Sequence, residues 1–169
     1  RQRPGGRTSF GSSGSYLHVD QVPNTGLSQI EHRVELRPVE RLLLGVQKPF
    51  RYIGGEWNQI VKRHDDVEVT FALAFPDVYE IGMSHQGTRI LYHLINRRED
   101  ALAERSFAPM PDMAEALRNS EIPLYTLESY RALAAFDIVG ISLQSELNYI
   151  NIPYILDLSA IPRRAADRT

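Results

Sequence analysis

Large apolar residues recur at every second position along residues 67–75, where Val67, Val69, Phe71, Leu73 and Phe75 share one face. The other face carries polar residues first and alanines toward its end, which is typical of a strand inside a covered sheet. The pattern therefore predicts a β-strand over residues 67–75, and the Pro-Asp pair that follows ends it.

The residues after this strand predict a helix. A loop through Gly82 leads to residues 84–97, where apolar residues recur at helical spacing. Ser84 is the predicted N-cap, because a serine hydroxyl can accept a hydrogen bond from a first-turn amide. The apolar residues that form one stripe on this helix are Ile90, Leu91, Leu94 and Ile95.

A second strand and helix follow. Residues 103–108 form a weak strand pattern, and Pro111 suits the first turn of a helix. On this helix we expect Met113, Ala116 and Leu117 to face inward.

The last third of the chain repeats the pattern. Residues 122–127 predict a short strand, and the apolar run over residues 136–144 has the length and composition of a buried parallel strand. A final helix follows, and Pro153 either kinks it or delays its start to about Asn151. Its apolar positions are Leu147, Ile150, Tyr154 and Leu158.

Strands that alternate with helices imply βαβ units, a parallel sheet and right-handed crossovers. We therefore predict an α/β fold, a flavodoxin-like parallel sheet with helices on both faces. The pattern contains about three sheet strands, whereas a complete doubly wound domain has about five. We expect residues 67–169 to be an α/β domain that is truncated at its C-terminus.

The residues before this domain divide into two parts. Residues 1–28 are rich in Arg, Gly, Ser and Pro, and we expect a disordered or artefactual tail, because such a composition buries little apolar surface. Residues 29–66 are an N-terminal extension with a short helix over about 39–44 and a turn at paired glycines. Tyr52 and Trp57 are expected to anchor this extension onto the domain.

The composition and net charge limit which classes of partner and which chemistry the chain can have. A net charge of -2 gives no electrostatic reason to expect nucleic acid, and three arginines in the tail without an aromatic partner are a weak signal for it. No apolar run is long enough to span a membrane and the first residues do not form a secretory signal, so the expected location is cytoplasmic. The chain has no cysteine, which excludes thiolate catalysis and iron–sulfur ligands among these residues.

Candidate binding residues follow the first and last predicted sheet strands. Ligands of an open parallel sheet bind beyond the carboxyl ends of its strands, where loops and helix N-termini meet. Backbone amides near Gly82 and Ser84 suit an acceptor group, and the polar side chains suit a ligand's polar edge. The predicted cofactor-binding residues are Asp77, Tyr79, Gly82 and Ser84 in the first loop, and Ser142, Gln144, Ser145 and Glu146 in the second.

Each of these residues also has a structural interpretation. Gly82 suits a turn or close packing, and Ser145 suits the N-cap of the last helix. Asp77, Glu80 and His85 fit no familiar metal-ligand spacing, and His85 suits a solvated or capping position. No serine has a recognisable histidine and acid beside it, so we predict neither a catalytic residue nor a metal ligand in this chain.

Two segments carry a family resemblance, namely residues 51–58 with Gly54-Gly55-Glu56-Trp57 and residues 71–85 with Phe75-Pro76-Asp77-Val78-Tyr79. They resemble the amino-terminal region of radical S-adenosylmethionine (radical SAM) proteins that carry a cobalamin-binding-like domain before the radical SAM barrel. Shorter segments extend the resemblance to residue 168: 107–109, 111–113, 122–124, 127–129, 136–140 and 165–168.

The resemblance implies a downstream CxxxCxxC motif that binds a 4Fe–4S cluster and cleaves S-adenosylmethionine. This chain would then be an accessory domain, without catalysis of its own, that covers the barrel of the same polypeptide or holds cobalamin above it. Cobalamin domains with a protein ligand carry DxHxxG, whereas here Tyr79 holds the histidine position and Gly87 lies two residues after His85. We therefore expect any cobalamin to bind without a histidine ligand.

Two other functions remain open at this point. The chain is either a stand-alone flavodoxin-like protein that binds a small ligand at the two polar loops, or a purely structural domain that docks a partner. In the second case the contact residues would include Trp57, Tyr149 and Tyr154.

Overall fold

The computed structural model describes residues 38–168. The predicted tail over residues 1–28 and the first part of the extension lie outside these residues. Within residues 38–168, no helix combines the length and the apolar character that crossing a membrane requires. The strands are β1 (Val69–Phe75), β2 (Ala101–Phe107) and β3 (Ile138–Ile141), and the α-helices are α1 (Pro38–Leu42), α2 (Tyr79–Ser84), α3 (Gln86–Asn96), α4 (Pro111–Asn119) and α5 (Asn151–Leu158). Short 3-10 helices cover Leu43–Gly45, Pro49–Tyr52, His64–Asp66, Leu133–Ala135, Glu146–Ile150 and Ala165–Asp167.

The three strands form one parallel sheet in the order β2-β1-β3. This is the order in which a flavodoxin-like sheet begins, with its topological switch point between β1 and β3. Alternate residues of β1 face opposite layers: Leu73 packs with α3, whereas Ala72 and Ala74 share a core with α4 and α5. The prediction of a parallel α/β sheet with helices on both faces is confirmed.

The prolines place two helix starts as expected. Pro111 occupies the first turn of α4, and Met113 and Leu117 are buried there. Ala116 is only half-buried, and the neighbouring Ala114 is buried in its place. The last helix begins at Asn151, because Pro153 is tolerated in a first turn but not in a helix interior.

Two local predictions are wrong, and a third is right only in part. Residues 79–84 form helix α2, where the glycine at 82 suggested a loop. Residues 122–127 form a loop with a single bridge between Tyr125 and Ala132, because this segment runs beside the edge of β2 without forming a ladder. The apolar run over residues 136–144 contributes only a four-residue strand at an exposed edge, with Ile138 45% exposed, because no strand of the described residues covers its outer side.

Helix α3 has an unexpected orientation. Its buried residues are Thr88, Tyr92 and Asn96, and only Ile95 of the predicted apolar stripe is partly buried against the sheet. Ile90, Leu91 and Leu94 are exposed. The spacing identified the apolar stripe, but three of its four residues face away from the sheet.

The outer edge of β2 is closed by side chains and a loop. Lys62 donates to the carbonyl of Ala101 at 2.7 Å, and the Asn96 amide bonds both backbone groups of Ala103. The Glu128 carboxylate accepts a hydrogen bond from the backbone amide of Arg105. The backbone carbonyl of Arg105 accepts one from the amide of Leu127. These contacts satisfy the backbone groups that an edge strand otherwise leaves open.

Two charged residues are buried in β2. The Arg105 guanidinium donates to the Glu128 carboxylate at 2.7 Å, and it lies 4.3 Å from the ring centre of Tyr92. Burial raises the pKa of Glu128, and the charge of Arg105 opposes that rise. On the opposite face of β2, Glu104 accepts from the hydroxyls of Thr126 and Ser129 and pairs with the His64 ring at 2.9 Å, which gives this carboxylate three partners.

The segment before β1 crosses the domain surface. Tyr52 is buried, as expected of an anchor, and its hydroxyl accepts from the amide of Met110 at 3.2 Å. Gly54 has a φ of 62°, and a side chain there would meet the carbonyl of Leu127, so this position requires glycine. The turn itself lies one step later, where the amide of Gln59 donates to the carbonyl of Glu56 at 2.9 Å. Trp57 is fully exposed, so its predicted role as an anchor is wrong; the Tyr92 hydroxyl, which bonds Ile60, holds this part of the chain instead.

Candidate functional site

The carboxyl ends of the three parallel strands meet at one edge of the sheet, and a cleft of about 400 Å³ opens there. The loops after β1 and β2, the start of α4 and the start of α5 surround it. Its lining is mostly apolar with three polar side chains, which is the usual character of a small-molecule site. The residues that line the cleft are Asp77, Val78, Ala108, Pro109, Pro111, Ile150, Asn151 and Tyr154.

Asp77 is the one predicted site residue that lines this cleft. Its carboxylate accepts from the amide of Val78 at 2.7 Å, which fixes the turn after β1. Its backbone carbonyl accepts from the amide of Ala108 at 3.0 Å, so the loops after β1 and β2 are joined directly. Asp77 therefore has both a structural role and a place in the cleft.

Two asparagines close the switch point between β1 and β3. The side-chain amides of Asn148 and Asn151 both donate to the carbonyl of Pro76, at 3.2 and 2.8 Å. Together they join the end of β1 to the start of α5. Neither asparagine is among the predicted site residues, although both follow a predicted strand and their side-chain amides can donate hydrogen bonds.

The second predicted group follows β3 along the same edge. The amide of Ser142 donates to the carbonyl of Ala74 at 3.2 Å and extends the sheet ladder by one bond. The hydroxyl of Ser145 donates to the Asn148 side chain and does not cap the following helical turn. Gln144, Ser145 and Glu146 are exposed at the carboxyl edge, outside the lining of the cleft.

The remaining predicted residues lie on α2. The Tyr79 hydroxyl donates to Glu56, and burial together with this contact raises the pKa of Tyr79 to about 12. Gly82 packs under the ring of Phe107, where a side chain would collide with it. The hydroxyl of Ser84 donates to a carbonyl within α2. The structure therefore brings Asp77 and the second group to the carboxyl edge, and gives Tyr79, Gly82 and Ser84 packing contacts.

The start of α3 is capped by His85, and the prediction of Ser84 as the cap is wrong. The Nδ1 atom of His85 accepts from the amide of Thr88 at 3.1 Å, and the imidazole packs 5.1 Å from the ring of Phe75. One first-turn amide of α3 is thus already bonded. Of the two structural interpretations of His85, the capping position is the one observed.

Comparison with known proteins adds one finding. Residues 87–169 match the family model for the N-terminal region of radical SAM proteins. The match covers a little under half of the chain, from the first turn of α3 onward, and it leaves out β1 and α2. No curated protein and no solved structure matches the chain.

This match agrees with the resemblance to radical SAM proteins that residues 107–168 carry. Asn148, Asn151 and the residues after β3 lie within it, whereas Asp77 and Tyr79 lie before it. The match is to the N-terminal part of radical SAM proteins.

Tyr79, Glu80 and His85, the candidate ligating side chains near this edge, each have a partner within the chain. Tyr79, at the histidine position of the DxHxxG pattern, directs its hydroxyl to Glu56, and the Nδ1 atom of His85 is occupied by Thr88. Glu80 is paired with Arg51 at 2.7 Å, which lowers the pKa of this carboxyl. Within residues 38–168, no three His, Asp or Glu side chains lie close enough together to hold a metal ion.

Proposed function

We propose that this chain is the N-terminal accessory domain of a radical SAM iron–sulfur enzyme, and that it covers the radical SAM barrel of the same polypeptide. The observation that carries the proposal is the match of residues 87–169 to the N-terminal region of such proteins. The 4Fe–4S cluster and S-adenosylmethionine would bind in the domain that follows, since these residues contain no cysteine to ligate a cluster.

The open edge of β3 supports a neighbouring module. Beside β3 lies a groove of about 520 Å³ with apolar side chains such as Val139, Ile141 and Leu156 in its walls. Within residues 38–168, no backbone or side-chain group bonds β3 on the side away from β1. Parallel strands are normally covered on both faces and paired on both sides, so we expect polypeptide outside this range to complete this edge.

A finer part of the proposal is that cobalamin binds at the carboxyl edge without a side-chain ligand. Asp77, Ser142, Gln144, Ser145 and Glu146 would then contact its polar groups. The support is the parallel sheet with its cleft beyond the strand ends. Asn148 and Asn151, which occupy the switch point, count against a ligand bound deeply between β1 and β3.

The first test is the coding sequence beyond Thr169. A CxxxCxxC motif in the next domain is expected, and its absence would contradict the accessory-domain proposal. The second test is anaerobic reconstitution of the complete protein with iron and sulfide, followed by absorption spectroscopy. We expect the bands of a 4Fe–4S cluster and reductive cleavage of S-adenosylmethionine; a protein that binds no cluster would overturn the proposal.

Cobalamin binding has its own test. The complete protein is mixed with hydroxocobalamin, and retained cobalamin is measured by absorption after gel filtration. Ile150→Trp narrows the cleft from a side chain that is 78% exposed, and Leu147→Trp changes a similarly exposed residue outside the cleft lining. Loss of binding in the first variant alone supports the carboxyl-edge site, and no binding by the unaltered protein contradicts it.

The cleft also favours a second candidate function, a stand-alone flavodoxin-like domain that binds a small ligand. In that case flavin, nucleotide or cobalamin would raise the unfolding temperature of the protein by mass action. No shift with any of the three would count against this function and leave the accessory role unaffected.

A further inference from the structure

Helix α3 exposes apolar residues that its neighbours do not cover. Ile90, Leu91 and Leu94 are 56%, 46% and 54% exposed, whereas Tyr92 and Asn96 on the opposite side are 1% and 6% exposed. A surface helix normally buries its apolar stripe and exposes its polar one. α3 does the reverse.

This orientation is held by specific contacts. The Asn96 amide forms two hydrogen bonds with the backbone of Ala103, at 2.9 and 3.0 Å. The Tyr92 hydroxyl accepts from the amide of Ile60 at 2.8 Å, and its ring stacks with the Arg105 guanidinium. Rotating the helix to bury its apolar stripe would leave these buried groups without hydrogen-bond partners, which is unfavourable. The exposed stripe is therefore a fixed feature of the fold.

The charges beside this stripe are all positive. Arg89 and Arg97 are exposed, and neither forms an ion pair within residues 38–168. His93 lies between them on the same side of the helix. α3 itself contains no Asp or Glu. By contrast, the adjacent Arg98 is paired with Asp100 at 2.5 Å.

We propose that the outer face of α3 docks against an outer helix of the radical SAM barrel, a helix that presents apolar residues flanked by Asp or Glu. This inference rests on the proposed function, which supplies the barrel as the neighbouring module. The barrel is surrounded by helices, and two helices pack by fitting the side-chain ridges of one into the grooves of the other. The complementary charge fixes the orientation and excludes other surfaces.

A second copy of this chain is a poorer occupant. Two α3 helices that met face to face would bring four arginines together without an acidic partner on either helix. Like charges at such a contact repel each other and suppress this pairing. The charges of α3 thus favour an acidic partner over self-association.

The proposal is tested by cross-linking in the complete protein. A photoreactive phenylalanine analogue replaces Leu94, and a control replaces Glu115, an exposed residue on α4 at the other face of the sheet. We expect an intramolecular cross-link from position 94 to a helix with apolar and acidic residues, and none from position 115. A cross-link to a second molecule, or no cross-link from position 94, would overturn the proposal.

Charge reversal tests the electrostatic part. The pair Arg89→Glu and Arg97→Glu is expected to reduce the cross-link yield about fivefold or more, since attraction becomes repulsion at the contact. The pair Arg63→Glu and Arg131→Glu changes the net charge equally at exposed positions outside α3 and should leave the yield unchanged. Equal losses in both pairs would mean that net charge alone matters and would contradict docking through α3.

The radical SAM function and the docking of α3 are contradicted by different results. A protein that binds no cluster contradicts the radical SAM function. A protein that binds its cluster and cleaves S-adenosylmethionine, but gives no intramolecular cross-link from position 94, contradicts only the docking of α3.

Discussion

Asn96 bonds both backbone groups of Ala103, with its amide nitrogen 2.9 Å from the carbonyl oxygen and its amide oxygen 3.0 Å from the backbone nitrogen. A single side chain thereby takes the place of a neighbouring strand at this position of β2. The same contact determines which side of α3 faces the sheet.

Asn96→Ala is expected to lower the free energy of unfolding by about 2–4 kcal/mol, because two buried backbone groups lose their partners. Urea unfolding followed by circular dichroism measures the change. Asn119→Ala, at an exposed position in the last turn of α4, is the control and should change the free energy by less than about 0.5 kcal/mol. Equal effects of the two substitutions would contradict the role given to Asn96.

Arg105→Met is expected to destabilise the protein by about 3–5 kcal/mol, because it leaves the buried Glu128 carboxylate without its countercharge. Adding Glu128→Gln should recover part of this loss. The substitution removes the buried negative charge and keeps an oxygen that can accept from the backbone amide of residue 105. Arg98→Met breaks an exposed pair, so it should destabilise the protein far less than Arg105→Met. A double variant less stable than Arg105→Met would contradict this account.

Gly82→Ala is expected to destabilise the protein by about 1–3 kcal/mol through overpacking. The added carbon would lie 2.3 Å from the Phe107 ring, and that ring is itself enclosed by Phe75 and Leu127. Gly45→Ala is the matched control, because a side chain there meets nothing within 4 Å. Thermal unfolding of both variants decides the point, and a neutral Gly82→Ala would refute the packing role.

The attachment of β3 is expected to depend on pH through Asp137. Its carboxylate accepts from the amide and the hydroxyl of Thr70, and these bonds hold the pKa of Asp137 below its ordinary value of about 3.8. A lowered pKa means that the stabilisation is present above pH 3.8 and is lost as the pH falls through the lower, folded-state pKa. We expect the urea midpoints of wild type and Asp137→Ala to differ at pH 6 and to converge below pH 3.8.

The comparison with Asp137→Asn completes this experiment. Asparagine keeps an acceptor oxygen but does not titrate in this range, so its difference from Asp137→Ala should stay constant with pH. A wild-type advantage that persists unchanged at pH 3 would show that the Asp137 carboxylate does not control this contact.

The strands and their parallel arrangement were predictable because their signals are local. The alternation over residues 67–75 identified β1, and Pro111 and Pro153 placed the starts of α4 and α5. The orientation of α3 was not predictable, because helical spacing identifies an apolar stripe without showing what covers it. Asn96 and Tyr92 face inward through partners at Ala103 and Ile60, which are distant in the sequence.

The candidate site was predictable to a similar depth. Parallel strands bring their carboxyl ends together, so the placement of Asp77 and of the residues after β3 along one edge followed from the pattern. The pattern over β2 was weak because Glu104 and Arg105 are charged, and their burial depends on His64 and Glu128. Gly82 suggested a loop for a similar reason. A side chain at this position would collide with the Phe107 ring, and that ring lies on another strand, so the sequence around Gly82 does not reveal the contact.

The unequal edges of the sheet limit how copies of this protein could associate through their strands. A fibril grows through its strands only if every subunit has two unpaired strand edges, one for each neighbouring subunit. In this protein the backbone groups at the outer edge of β2 are already hydrogen-bonded by Lys62, Asn96, Glu128 and Leu127. Strand pairing between the β3 edges of two molecules would therefore give a dimer, and it could not extend into a filament.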